Sequence, residues 1–371
     1  MIQDFDADGD EDMAIWQGDY YGIADNVNPG TLEIHDFVDV YHSGYDIQEY
    51  DMDADGDLDI LARQWYAVAW YENLGMGSFD SARVLVTTTD DLAAFNLIDI
   101  DGDGLKDIIW GQWYWESFWN RNLGNGQFDT AQLFDSVSWW SVILVTDMTN
   151  NGLEDIVVSS ELLGLGWYEN LGGGNFSAFQ SIVSGEFYHG TTLIDLDDDG
   201  WTDIYFPVSD SNQFMGWIPN LGNGNFATPV VIDSVFARGS AICDIDNDGD
   251  FDIVSSNVTY YPVYSSRLSY HESLGNGTFA PGVFIDSIDG DVEILDVDND
   301  GYRDIVVFDF HTHWYKNLMA PPATCDQPTS VSVNTAATTA TINWVLEPDA
   351  TATQIQYRVH PSFGGSPPNT V

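Results

Sequence analysis

The sequence predicts an all-β chain: a seven-bladed β-propeller with four-stranded antiparallel blades, plus a partial β-sandwich at the C-terminus. Three observations predict it. A segment of the form D-x-D-x-D-G-x-x-D, or a weakened copy, recurs seven times at nearly constant spacing. A second motif, aromatic-x-x-N/S-L with G-x-G-x-F, keeps step with it. Short apolar runs of strand length, bounded by glycine turns, lie between them.

The first motif begins at Asp4, Asp51, Asp99, Asp147, Asp195, Asp244 and Asp296, at intervals of 47, 48, 48, 48, 49 and 52 residues. The copy at Asp147 is the weakened one. It keeps Asp147 and Asp155 but places Thr149 and Asn151 where the others have aspartate. The second motif follows about 20 residues after the first, an interval typical of successive short strands and turns. Its copies run from Trp70 to Phe79, Trp119 to Phe128, Trp167 to Phe176, Trp217 to Phe226 and Tyr270 to Phe279, with a shortened one from Trp314 to Leu318. The first repeat departs from it, with Tyr20-Tyr21-Gly22-Ile23 and an Asn28-Pro29-Gly30 turn.

Each repeat then reads as four strands. An apolar run such as Phe95-Asn96-Leu97-Ile98 enters the aspartate loop, and Asp107-Ile108-Ile109-Trp110 leaves it. The aromatic-x-x-N segment is the third strand, the glycines turn the chain, and the phenylalanine leads into the fourth. Four strands in ~45–50 residues is the size of a propeller blade. One such sheet cannot bury both faces alone, whereas seven packed radially can, with only short edges left over.

Composition excludes some functions. Nine Lys and Arg face sixty Asp and Glu, a formal net charge of −51. Nucleic-acid binding rests on basic side chains neutralising phosphates, so this surface repels it. It repels anionic membranes as well, attracts divalent cations, and tolerates a saline medium that screens self-repulsion. Aromatics at 14% and an apolar fraction of 44% separate the chain from disordered acidic tails and permit a large core. Cys243 and Cys325 are too few for a disulfide framework; Cys243, in an apolar strand, reads as a buried free thiol. No run of apolar residues is long enough to span a membrane, and no leader is visible before the first repeat. The sequence thus reads as a fragment of a longer protein.

The aspartate spacing carries a chemistry of its own. Calcium takes ~6–8 oxygen ligands at ~2.3–2.6 Å. Aspartates at loop positions 1, 3 and 5 place three short carboxylates inside one tight turn. Glycine at position 6 lets the backbone reverse with positive φ, the carbonyl of position 7 can face the ion, and aspartate at position 9 closes the site with both oxygens. The expected ligands are Asp4, Asp6, Asp8, Asp10 and Asp12 in the first loop and Asp51, Asp53, Asp55, Asp57 and Asp59 in the second. The third loop offers Asp99, Asp101, Asp103, Leu105 and Asp107; the fourth, Asp147, Thr149, Asn151, Leu153 and Asp155. The fifth offers Asp195, Asp197, Asp199, Trp201 and Asp203; the sixth, Asp244, Asp246, Asp248, Asp250 and Asp252; the seventh, Asp296, Asp298, Asp300, Tyr302 and Asp304.

An EF-hand needs glutamate at position 12 between two helices. Position 12 here is Ile15, Ala62, Trp110, Val158, Phe206, Ser255 or Val307, and the flanks are β-rich. Turn-capping alone is the bland reading of the aspartates, but four carboxylates within nine residues repel one another unless a cation lies among them. Six or seven structural calcium ions are therefore expected, the site at Asp147 being open either way. An ion bound only by the folded state stabilises it by ~2.7 kcal/mol at a hundredfold excess over Kd.

The paired motifs over residues 1–318 resemble the FG-GAP/VCBS repeats of integrin-type propellers and of many bacterial secreted proteins. The resemblance implies that the D-x-D-x-D-G-x-x-D segment is a calcium-binding hairpin loop and that the chain is secreted or displayed at a cell surface.

Residues 319–325 read as a linker and 326–371 as a partial domain. Pro328–Val333, Ala340–Trp344 and Gln354–Val359 alternate as short strands and resemble the first half of a fibronectin type III domain, with Trp344 and Tyr357 at core positions. The seventh repeat lacks a fourth strand, which is expected to come from chain upstream of Met1.

Connectivity gives the propeller two faces. Opposite the cation loops lie Arg63, Trp65, Trp113, Trp115, Trp139, Trp140, Tyr188, His189, Arg238, His311 and His313. Aromatic rings with a few polar neighbours suit sugar rings, so a carbohydrate or an extracellular protein partner is expected there; blade packing is the competing reading of the tryptophans. No G-x-S-x-G or H-E-x-x-H motif is present. The expected function is a non-catalytic, calcium-stabilised adhesion or binding module, acting as a monomer within a larger multidomain chain. Two alternatives stay open. One is a lyase-type polysaccharide-degrading enzyme using Tyr188, His189, Arg63 and Arg238, or its accessory domain. The other is a structural spacer.

Overall fold

The computed structural model describes residues 2–4, 11–17, 20–28, 31–39, 47–75, 78–112, 116–136, 140–160, 162–184, 188–209, 214–259, 265–298, 300–308, 312–317, 328–336, 339–346 and 353–359. Six four-stranded antiparallel sheets and one six-stranded sheet, with two short two-stranded ones, are formed among them. Of the expected site residues, Asp6, Asp8, Asp10, Trp113, Trp115, Trp139 and His311 lie outside the described residues, as do Cys325 and the 319–325 segment. The chain divides into two compact units, Met1–Leu193 with Asn220–Phe226, and Ile194–Pro219 with Ala227–Val371.

In the first unit each four-stranded sheet is one repeat. Ile47–Tyr50, Asp59–Gln64, Ala67–Tyr71 and Arg83–Thr87 pair in chain order, as do Leu92–Ile98, Asp107–Gln112, Ser117–Asn120 and Gln132–Asp135. Trp140–Thr146, Asp155–Ser160, Gly164–Tyr168 and Gln180–Val183 follow the same plan, and Ile2–Gln3, Asp12–Gln17, Tyr20–Asn28 and Thr31–Asp39 form the first such sheet. Second strands such as Asp107–Gln112 and Asp155–Ser160 are buried along their whole length, while fourth strands are largely exposed. Burial on both faces is what near-continuous apolar runs such as Asp59-Ile60-Leu61-Ala62 encode. The core therefore lies between sheets. Leu61, Val68 and Trp70 of one repeat pack with Phe95, Ile108 and Trp110 of the next.

The second unit repeats the plan. Val254, Leu268 and Tyr270 pack with Val292, Ile305 and Tyr315, and the half-buried thiol of Cys243 lies against that cluster.

The last sheet departs from expectation. Asp291–Leu295, Asp304–Phe308 and Thr312–Asn317 are followed by Thr353–Val359, Thr339–Leu346 and Pro328–Ala336 in one continuous sheet. Trp314 faces Arg358 and Tyr315 faces Tyr357 in register. The fourth position of the seventh repeat is thus filled from the chain's own tail rather than from upstream of Met1. An unpaired edge at Thr312–Asn317 would leave a row of N–H and C=O groups unsatisfied, and the tail strand pairs with them. The three tail strands lie in this one sheet.

Candidate metal centres and the opposite face

Each described aspartate loop, from the one at Asp51 onward, is organised by its first residue. In the second loop Asp51 Oδ1 accepts from the Asp55 N–H at 3.1 Å and Oδ2 from the Gly56 N–H at 3.1 Å. The same pair of bonds recurs at Asp99, Asp147, Asp195, Asp244 and Asp296. Position 5 in turn accepts from the N–H of position 7, as in Leu105 to Asp103 at 3.0 Å and Leu153 to Asn151 at 2.7 Å. These bonds wind the loop around a common centre.

Two positions per loop have left-handed backbone. Glycine at position 6 was expected to, and does, at φ from 86° to 105°. Position 4 does so as well, through Ala54 (64°), Gly102 (79°), Asn150 (52°), Asp198 (58°) and Asn247 (59°). Gly, Asn and Asp tolerate this region and occupy position 4 in the third to sixth loops, while Ala54 adopts it in the second.

The winding gathers carboxylates. One oxygen each from Asp51, Asp53 and Asp59, from Asp99, Asp101 and Asp107, from Asp195, Asp197 and Asp199, from Asp244, Asp246 and Asp248, and from Asp296, Asp298 and Asp300 lie within 4.8 Å of one another. Three position-3 oxygens, Thr149 Oγ1, Asp197 Oδ1 and Asp298 Oδ1, are buried with no hydrogen-bond partner. A buried oxygen without a donor is costly, and a hard cation is the partner that removes the cost. The residues fit calcium, including the neutral oxygen of Thr149 in the weakened loop.

Position 9 has a second task. Asp107 is fully buried; its Oδ2 accepts from the Ile100 N–H at 3.0 Å and its Oδ1 from the Asn122 N–H at 2.8 Å. Asp59, Asp155, Asp252 and Asp304 bind the second loop residue and the motif Asn or Ser in the same way. Each oxygen is therefore already engaged by one backbone donor, and the side chain ties the loop to the third strand. Burial pushes the carboxyls of Asp59, Asp107 and Asp155 up to about 6 and that of Asp304 to about 8, against the pull of these donors. Asp246 is raised to about 7, by burial first and then by Asp248 and Asp244.

The motif asparagine joins successive repeats. Asn220 Nδ2 donates to the Met148 carbonyl at 3.0 Å and Asn317 Nδ2 to the Ile245 carbonyl at 2.8 Å, each the second residue of the preceding loop. The glycine turn does so too. A Cβ on Gly126 would stand 2.4 Å from the Trp70 ring, and one on Gly277 would stand 2.1 Å from the Trp217 ring.

On the opposite face the expected residues part company. Trp140 is fully buried, against Phe134 and Tyr168. It opens the strand Trp140–Thr146 as a core residue, which corrects its reading as a ligand platform. Arg63 is also buried, and its Nη1 donates to the Leu92 carbonyl at 2.8 Å, so it secures a connection between repeats instead of meeting a ligand. Arg238 is exposed and paired with Asp289 at 3.0 Å. His313 is half-buried in the strand Thr312–Asn317, and Tyr188–His189 is a short strand. Trp65 is exposed, edge-on to exposed Tyr66.

Missed by sequence reading is an open cleft of about 370 Å³ at this end of repeats two and three. Thr87, Thr88, Thr89, Asp90, Gln112, Glu116 and Ser136 supply polar groups, and Trp110, Phe118 and Ala131 an apolar wall. Trp110 and Phe118 stack at 4.7 Å, and the Trp110 indole donates to Asn120 Oδ1 at 2.7 Å. Gln112 and Glu116 flank Trp113–Trp115, but the cleft's walls come from two repeats, which spacing within one repeat does not reveal.

Comparison with known proteins agrees with this architecture. The FG-GAP-like repeat family matches residues 51–110 and 147–206. No curated protein matches the sequence. Among solved structures, an Agrocybe aegerita lectin that recognises non-reducing terminal N-acetylglucosamine is similar at 20% identity and a TM-score of 0.55, covering 76% of this chain and 79% of the lectin. BBS1N, solved in complex with ARL6DN, is similar at 9% identity and a TM-score of 0.51, covering 98% and 92%. The repeat match and these likenesses support an FG-GAP β-propeller.

Proposed function

We propose that this FG-GAP β-propeller is a non-catalytic binding module, seven-bladed and stabilised by calcium, that works outside the cell and takes carbohydrate through the face opposite its cation loops. The observation that carries the binding reading is the Gln112–Glu116 cleft. It combines hydroxyl, amide and carboxylate groups with an aromatic wall, the mixture that meets the edges and faces of a sugar ring. Among the described residues its lining holds two acids, Asp90 and Glu116, and no basic side chain. It therefore favours a neutral or amino-bearing saccharide over an anionic one. The lectin's sugar makes N-acetylglucosamine-terminated glycans the first to test.

The calcium reading rests on the gathered carboxylates and the orphaned position-3 oxygens. In the mature site the position-1, -3 and -5 side chains would hold the ion and the position-7 carbonyl would complete it. Calcium supplies charge neutralisation and cross-linking of the hairpin, with no chemical step. A lyase reading loses support because Arg63 and Arg238 are committed to Leu92 and Asp289. Among the described residues no helix is long and apolar enough to cross a membrane.

The test is glycan-array binding in calcium, repeated with Gln112→Ala and Trp65→Ala. Loss of a defined glycan signal on Gln112→Ala supports the cleft. Silence of the wild-type protein on every glycan overturns the carbohydrate reading and favours a spacer.

A further inference from the structure

The residue just before the motif asparagine stands beside the cation loop of its own repeat. In the third repeat it is Arg121, whose Nε lies 2.5 Å from Asp101 Oδ2 and whose Nη2 lies 2.8 Å from Asp103 Oδ2. In the seventh it is Lys316, whose Nζ pairs with Asp298 and lies 2.8 Å from Asp300 Oδ2. These acids occupy loop positions 3 and 5, and Asp101, Asp298 and Asp300 are among those whose oxygens converge. At the same register the other repeats with the motif carry Glu72, Glu169, Pro219 or Glu272.

We infer that the chain holds two classes of cation loop: most depend on an external ion, while those at Asp101 and Asp298 carry a counter-cation of their own. The inference rests on the calcium reading above. Ion pairs this exposed contribute little to stability by themselves. Their weight lies in competition, because a resident positive charge within contact distance opposes the entry of a divalent ion and must be displaced or tolerated. The two loops therefore bind calcium more weakly and keep their hairpins when calcium is removed.

Calcium binding measured by equilibrium dialysis on the full chain tests this. The wild-type protein is expected to show a tight class and a weak class of sites. Arg121→Gln and Lys316→Gln each move one ion from the weak class to the tight class, with affinity up by about tenfold or more, while Arg121→Lys leaves the classes unchanged. Pro219→Arg places the charge at a neutral, half-buried position of the fifth repeat and moves one ion from tight to weak, which keeps the test open should either glutamine variant fold poorly. A single uniform class in the wild-type protein overturns the inference, as do glutamine variants with unaltered binding. If the wild-type protein takes up no calcium at millimolar concentration, the underlying calcium reading falls, and this inference with it.

Discussion

Replacing Asp107 with alanine separates the two tasks of the ninth loop residue. The substitution strips the acceptor from two buried donors, the Ile100 N–H at 3.0 Å and the Asn122 N–H at 2.8 Å. A buried donor left unpaired costs ~1–3 kcal/mol, so two cost ~2–6 kcal/mol. Burial first, and then repulsion from Asp101 and Asp103, raises the Asp107 carboxyl's pKa to about 6, and relief of that burial and repulsion returns part of the loss. We expect a net loss of ~2–4 kcal/mol. Asp107→Asn keeps one acceptor but turns an amide NH₂ toward the other donor, and should fall between wild type and alanine. The assay is urea unfolding in excess chelator, where any contribution from metal ligation is absent. A loss below ~0.5 kcal/mol in chelator, with the deficit appearing only when calcium is added, would show Asp107 to be a metal ligand and nothing more.

Three further outcomes follow from the same geometry. Gly126→Ala drives a methyl to 2.4 Å from the Trp70 ring at a φ of 66°, and should cost ~1–3 kcal/mol in a thermal melt, whereas Gly102→Ala, with nothing within 4 Å, should cost only the backbone strain of ~1 kcal/mol. Trp140→Ala removes a fully buried indole and should cost ~3–5 kcal/mol while leaving glycan affinity of the folded fraction unchanged, since Trp140 faces no ligand. In the calcium-free protein the raised carboxyls of Asp59, Asp107, Asp155 and Asp304 favour the protonated form in the fold. Their contribution is fully present below ~pH 4, where unfolded carboxyls titrate, and is lost as pH rises through 6 to 8. The rise in Tm on adding calcium should therefore be larger near pH 8 than near pH 5, and a rise independent of pH would contradict it.

Much of this was legible in the sequence because one repeat was written seven times. The loop aspartates and the N-L-G-x-G turn each act within a few residues of themselves, so spacing reveals them. Contacts between repeats were not legible. Asn220 to Met148 and Gly126 to Trp70 join residues more than fifty positions apart, and nothing local marks them as partners. Asp107 read as a metal ligand because its backbone donors, unlike its neighbouring acids, leave no pattern in sequence. Trp140 was read as exposed because Trp139-Trp140 precedes an apolar run whose starting residue periodicity alone does not define. The tail's pairing with Thr312–Asn317 was missed because its composition matches an independent domain, while its place is set by an edge that needed a partner.

The most direct measurement is the count of calcium ions retained by the purified chain after dialysis at millimolar calcium, read beside the melting temperature with and without chelator. Several ions per chain, and a melting temperature that drops on chelation and recovers when calcium is restored, are the predicted result. A chain that retains none and melts at the same temperature in both buffers would contradict it.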